Sequence, residues 1–432
     1  MRFVASLALC LICYTCTNST EETTSDTAAE VLADITAPAD INSPADAPQD
    51  ADPLAGEVGP EMVPMPDDIA DLTFGKFFKW TNPIEDYISI NTEELGHGNF
   101  MKEIFDLTVF GDRLYFGYGD ATLNLGRITP IEIRYFADPA SKEYAFDFTT
   151  DEEQIDRYRQ DDDLLMIPGV DATEDGLLGN VYTLPSGNEW YKSRTLEWAW
   201  HVHDSARLGD TIYACGSGGS LDDYSGSTVH AYLWGSGDGG ENFEVLVDRP
   251  HPNPPGDQRH VHLLANDGEL YVFGYYSDDT GTTYATSYLL GEEALVPWEG
   301  LGAFFVLDTA VLDQENGLVV GVHIEQPLRQ GAMLVTNGVG EEVLALQDFT
   351  VLDVEPLGDG RGLVLYLDGN DYPLEDTGGW PAHVGVLNSA GELTEIASFF
   401  PTIRPASVAF WQGRLYVGMA DGNIWRAAVE AE

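Results

Sequence analysis

From Phe74 onward the chain alternates short apolar runs with tight polar turns, and the pattern recurs. VFGDRLYFGYG (109–119), RLGDTIYACGSG (207–218), NDGELYVFGYY (266–276) and WQGRLYVGMADG (411–422) each hold an apolar strand, a polar turn and a second strand of the type Leu-Tyr-Val-x-Gly. DDDLLMIPGVD (161–171), QENGLVVGVHI (314–324) and GDGRGLVLYLDG (358–369) are looser copies. β-Branched and aromatic residues alternating about a turn predict hairpins. With Tyr115, Leu165, Tyr213, Tyr271, Val319, Val364 and Tyr416 as anchors, the copies recur about every 50 residues. That period predicts an all-β chain, a seven-bladed β-propeller of four-stranded blades.

The strand upstream of each anchor repeats as well. Asp106, Asp156, Asp204, Asp308 and Asp353 stand at matching places on it. A recurrent Asp on an innermost strand is expected to bond backbone groups, including those of a neighbouring blade. The triplets His201-Val202-His203 and His260-Val261-His262 fall on one repeat position, held by Glu103-Ile104-Phe105 and Glu153-Gln154-Ile155 in the first two blades. The final copy, ending GNIWRAAVEAE, is about one strand short. The strand-like LTFGKFFKWTN (72–82) is expected to complete it, because an open ring leaves two bare strand edges.

Residues 17–71 have a different texture, with no Lys, Arg or aromatic residue and many Ala, Pro, Thr and Asp. They are expected to form a disordered acidic tether. Before them, MRFVASLALCLICYTCTNST carries one Arg and an apolar run from Phe3 to Tyr14, too short to span a bilayer. This stretch resembles a bacterial lipoprotein signal, which implies lipidation of Cys16. The residues Cys13-Tyr14-Thr15 depart from the Leu and Ala/Gly usual in that motif. The expected organisation is a signal peptide (1–16), a tether (17–71) and a propeller (72–432). The expected location is extracytoplasmic, in the cell envelope, as an outer-membrane lipoprotein or at the cell surface, with plain secretion as the alternative. Cys215 has no partner beyond the signal region, so no intramolecular disulfide is expected.

Composition narrows the partners. A formal net charge of −53 argues against nucleic acid, whose phosphates require Lys and Arg. It equally disfavours an anionic membrane surface, leaving the lipid as the only membrane contact. The propeller is expected to be monomeric. An acidic surface serves solubility and is also suited to divalent cations.

One stretch carries a resemblance. In WGSGDGGENFEVL, Ser236, Asp238, Gly240 and Phe243 match Ser-x-Asp-x-Gly-x-x-aromatic, which resembles the Asp-box of sialidases and many other propellers. Its Ser and Asp side chains close a turn and its aromatic packs into the blade. NSAGELTEI (388–396) and LPSGNEWYK (184–192) are degraded echoes. The box supports a fold and implies no chemistry. With no Phe-Arg-Ile-Pro motif, sialidase activity is not expected.

Function is expected at the face where the inner strands begin. Its loops offer Asp120, Asp171, Asp222, Asp223, Tyr224, Tyr275, Tyr276, Asp278 and Trp380, a mixture suited to a carbohydrate or protein ligand and to cation coordination. A second candidate is a metal site at the channel top, with His201 and His260 as first ligands and His203, His262 and Glu103 beside them. Calcium at the loops or zinc at the histidines would be the corresponding cofactor. Against it, neutral histidines packed between blades are ordinary. Three readings stay open: a tethered binding or scaffolding propeller, a carbohydrate-active or metal-dependent enzyme using the His/Glu cluster, and a structural envelope component in a larger assembly.

Overall fold

The computed structural model describes residues 68–121, 131–174, 176–187, 189–219, 228–252, 256–278, 282–292, 294–324, 328–370 and 379–429. Cys16, most of the expected tether, Asp222, Asp223 and Tyr224 lie outside the described residues. The repeats fold into antiparallel meanders, here units A (106–149), B (159–197), C (199–249), D (256–297), E (304–342), F (349–399) and G (405–428). Their first strands pack side by side around a central channel, giving a β-propeller. We call the end where these strands begin the mouth, and the other end the base.

Units A, B, E, F and G form five separate four-stranded blades, not the seven expected. C and D run together as one eight-stranded sheet. The cause is local. The connection after Arg249 returns beside the third strand of C, and Thr228 and Val229 pair in parallel with Gly256 and Asp257. Backbone groups that a separate blade would leave to solvent are thereby satisfied.

The strand Phe78–Thr81 pairs antiparallel with Ile424–Ala428 and forms the outer edge of unit G. Trp80 anchors it, 2% exposed, with ring centroids 4.6 Å from Phe136 and 5.0 Å from Tyr416 and the Arg426 guanidinium over its face. Upstream, Asp68 caps the turn Ile69–Asp71 and forms an ion pair with Arg361, in the base hairpin of unit F. The chain therefore enters the described fold at the base.

The recurrent acid links blades. Asp106 accepts from Tyr158 N–H (2.5 Å), Asp204 from Leu263 N–H (2.9 Å) and Asp353 from Val408 N–H (2.7 Å), each donor lying on the next inner strand or, for Tyr158, one residue before it. By strand register the corresponding residues elsewhere are Arg157 in B, His262 in D, Asp308 in E and Ser407 in G. Asp156, expected in this series, is one residue out of step.

Register also explains the motif's glycine. A Cβ on Gly216, Gly274 or Gly321 would lie 2.1, 1.9 or 2.2 Å from the carbonyl oxygen of His201, Arg259 or Phe305. These carbonyls belong to strands held by ladders on both sides of a bulge, so they cannot retreat. Gly274→Ala is expected to destabilise the fold by at least about 2 kcal/mol, read from denaturant unfolding. Wild-type stability would show that the backbone can part there.

Candidate functional site at the channel mouth

Inner strands send alternate side chains into the channel and into the blade packing. A bulge between Val202 and Asp204 and another between His260 and His262 fix the parity. Asp204 pairs with Cys215 and His262 with Phe273, equivalent places, so the two HVH triplets are offset by one residue and not superimposed as expected. A one-residue offset reverses the facing of every side chain. His201 faces the channel at the mouth. His260 takes the place of Val202, fully buried and edge-on to Tyr288.

His201 and His260 thus cannot share a metal, and the expected site is not assembled. Glu103 is paired with Arg404 at 2.5 Å. His201 Nδ1 lies 2.8 Å from the Val170 carbonyl, His203 Nε2 3.1 Å from Ser217 Oγ, and His262 Nδ1 accepts from Arg157 at 3.1 Å. Among the described residues no three His, Cys, Asp or Glu side chains form a metal-holding group. Burial holds all four histidines neutral, with His201 pushed down to about 4 and His260 to about 3.

Below the mouth the channel is filled by ion pairs. Arg159, from unit B, donates to both Asp204 oxygens at 2.7 and 2.9 Å and to the Thr309 carbonyl at 2.6 Å. Arg157 reaches Asp308, in unit E, at 3.2 Å. These pairs hold the ring together across its axis. The recurrent Asp therefore has a structural role.

The mouth differs. Asp171 and His201, expected in separate sites, come within 3.9 Å. Burial and the Glu153 charge push Asp171 up to about 7. Next to it Glu152, 1% exposed, takes hydrogen bonds on one oxygen from Asn180 (2.6 Å) and Tyr182 (3.1 Å), and burial still raises it to about 8. Asp171 Oδ2 and Glu152 Oε2 have no hydrogen-bond partner among the described residues. Half-buried Trp200 directly precedes His201, and Trp198, packed against the core shared by units B and C, holds a φ of 69°. That is a rare conformation for a bulky residue.

These raised carboxyls have a consequence for stability. Glu152 and Asp171 bind protons more tightly folded than unfolded, so their contribution is greatest at low pH and declines as pH rises towards about 8 and about 7. The depressed histidines act oppositely, but only below their ordinary value of 6.5. Between pH 6.5 and 8 the histidines no longer contribute, and Asp353 and Glu355, which burial also raises well above the usual carboxylate range, add to the decline. Unfolding free energy is expected to fall over that range by about 2 kcal/mol, and Glu152→Gln should flatten the slope. A slope unchanged by Glu152→Gln would contradict the assignment.

The other loop residues have local duties. Asp120 accepts from Met101 N–H at 2.7 Å, Tyr275 is buried against Phe305, and Trp380 N–H donates to the Pro401 carbonyl. Asp278 closes a turn by accepting from Thr282 N–H and Tyr284 O–H, and Tyr276 stacks on Tyr284 at 4.7 Å. At the base, Asp238 accepts from Ser236, Glu241 and Asn242, Gly240 N–H donates to Ser236, and Phe243 is buried. Sequence reading missed Arg157, Arg159, Arg259, Arg404 and Glu152. The scarcity of arginine was the available signal, and its reading required the register.

The family described as "Strictosidine synthase-like, N-terminal" matches residues 405–427, the three strands of unit G. No curated protein matches the chain. Among solved structures, the β-propeller domain of the Trilobed protease from Pyrococcus furiosus is similar at 10% identity and a TM-score of 0.49, covering 77% of this chain and 97% of that one. Puromycin hydrolase is similar at 11% identity and 0.48, covering 81% and 53%. A polysaccharide lyase, PL25 ulvan lyase, is similar at 11% identity and 0.46, covering 78% and 94%. At such distances none of these activities carries over.

Proposed function

We propose that the protein is an exported binding propeller whose ligand seat is the channel mouth, and that the ligand is a carbohydrate. One observation carries this reading. Two carboxyl oxygens converge at the mouth, Asp171 Oδ2 and Glu152 Oε2, and both are buried without a hydrogen-bond partner among the described residues. A buried polar group without a partner costs about 1–3 kcal/mol, which a hydroxyl-bearing ligand would recover. Neutral His201 and neighbouring Trp200 add an acceptor nitrogen and an apolar face suited to a sugar ring. Counting C and D separately, the ring would have the seven repeat units of the sequence period.

In this reading the signal and Cys16 tether the propeller to the envelope. Because the chain enters at the base, beside Arg361, the mouth would be presented away from the anchor. The test is binding of the mature protein to a panel of soluble neutral and acidic polysaccharides. At least one should bind, and His201→Ala and Asp171→Ala should each weaken it at least tenfold, while Asp238→Ala at the base leaves it unchanged. Equal binding by the mouth variants would refute the seat. Shortened product chains in the same assay would favour turnover over simple binding.

A further inference from the structure

The closing strand gathers cations on a chain that has few, with 20 Lys and Arg against 73 Asp and Glu. Lys76 and Lys79 lie on either side of Phe78, which is 49% exposed, and both lysines are exposed. Arg426 stands opposite Phe78 in the ladder, its guanidinium 5.4 Å from that ring, and donates to the Pro139 carbonyl at 2.5 Å. Arg414 lies on the neighbouring strand, two residues before Tyr416, the ladder partner of Arg426, and so shares its face of unit G. Across the seam, Lys142 is exposed in the base turn of unit A, where its carbonyl accepts from Thr81 Oγ1 at 3.5 Å.

None of these five cations forms an ion pair among the described residues. By contrast Arg113 and Arg134 in unit A and Arg361 in unit F are each held by a carboxylate. Asp138 and Glu143 share the turn of Lys142, yet Asp138 is engaged with the Ala140 N–H. An edge strand gains from a lysine, which discourages pairing with another chain. Five unpaired cations drawn from two blades exceed that need, and their charge is complementary to an acidic occupant.

The chain itself supplies one. Residues 17–67 contain no Lys or Arg and join the fold at Asp68, at the base and shortly before Lys76. Segment 46–61, DAPQDADPLAGEVGPE, carries Asp46, Asp50, Asp52, Glu57 and Glu61, with Leu54 and Val58 among them. The intervening residues 62–67 span up to about 20 Å, at about 3.3 Å each. A segment joined this closely meets the patch at an effective concentration on the order of millimolar, so individually weak pairs suffice. We propose that the acidic segment 46–61 docks on the basic face around the closing strand. Its carboxylates pair with the five cations, and Leu54 or Val58 covers Phe78. Docking lays the tether along the seam of units G and A and shortens the reach from anchor to base. The pairs are exposed and screened by salt, so the tether lengthens as ionic strength rises. This inference is independent of the ligand seat.

The experiment is zero-length carbodiimide coupling of the mature protein, which joins a lysine amine to a carboxylate in contact with it, with adducts mapped by mass spectrometry. Adducts from Lys76, Lys79 and Lys142 to residues 46–61 are expected. They should become at least fivefold fewer in 1 M sodium chloride, where the screening length falls to about 3 Å. Lys192, held by Asp151 and Glu174, is the positive control, and Lys102, near the mouth, the negative one. Lys76→Glu combined with Lys79→Glu, both at exposed positions, should reduce the Lys142 adducts at least fivefold and leave the unfolding midpoint unchanged. No adducts to 46–61, or adducts as frequent from Lys102 as from Lys76, overturn the proposal. So do adducts that join isotope-labelled to unlabelled protein, which would make the tether of a second copy the occupant. Binding to phosphatidylglycerol vesicles that the double variant abolishes would assign the patch to a membrane and overturn it equally.

Discussion

Arg159→Met is expected to lower the unfolding free energy by about 3–5 kcal/mol, because it removes both short bonds to buried Asp204 and leaves only Arg157, 3.8 Å away, as its counter-charge. Asp204 is fully buried, receives both Arg159 bonds, and also accepts from Ser205 and Leu263 N–H. Arg159 spans from unit B to Asp204 in C and to the Thr309 carbonyl in E, so its removal loosens three units at once. Denaturant unfolding gives the magnitude. Arg159→Met combined with Asp204→Asn should recover part of the loss, since the neutral amide no longer needs a cation. A loss below about 1 kcal/mol, in the range of exposed pairs, would show that water already compensates Asp204.

The second large effect concerns closure. Trp80→Ala removes an indole packed between Phe136 of unit A and Tyr416 of unit G, and is expected to cost about 3–5 kcal/mol. Deleting 68–81 should go further, because Ile424–Ala428 would become a bare edge open to another chain. The expected result is loss of soluble monomer by size-exclusion chromatography. A stable monomer after that deletion would mean that the ring holds without its closing strand.

The propeller was legible in the sequence because Leu-Tyr-Val-x-Gly encodes local requirements. Alternating apolar positions build the blade, and the glycine clears the carbonyl opposite it. The separateness of the blades was not legible. Fusion of C and D depends on two parallel pairs, at Thr228 and Val229, set by the path of one connection. The histidines mislead for a related reason. Identical triplets suggest identical placement, yet a single residue of register puts His260 in the core and His201 in the channel. Asp156 and Arg157 repeat the lesson. The loops gave Asp171, but not its approach to His201, which requires two units to meet.

Hydrogen exchange of the mature protein, with and without the polysaccharide it binds, tests the ligand seat most directly. Slowed exchange is expected at 170–171, 201–203 and 259–260, with no change in the base turn 236–243. Protection confined to the base, or to the outer strands, would contradict a seat at the channel mouth.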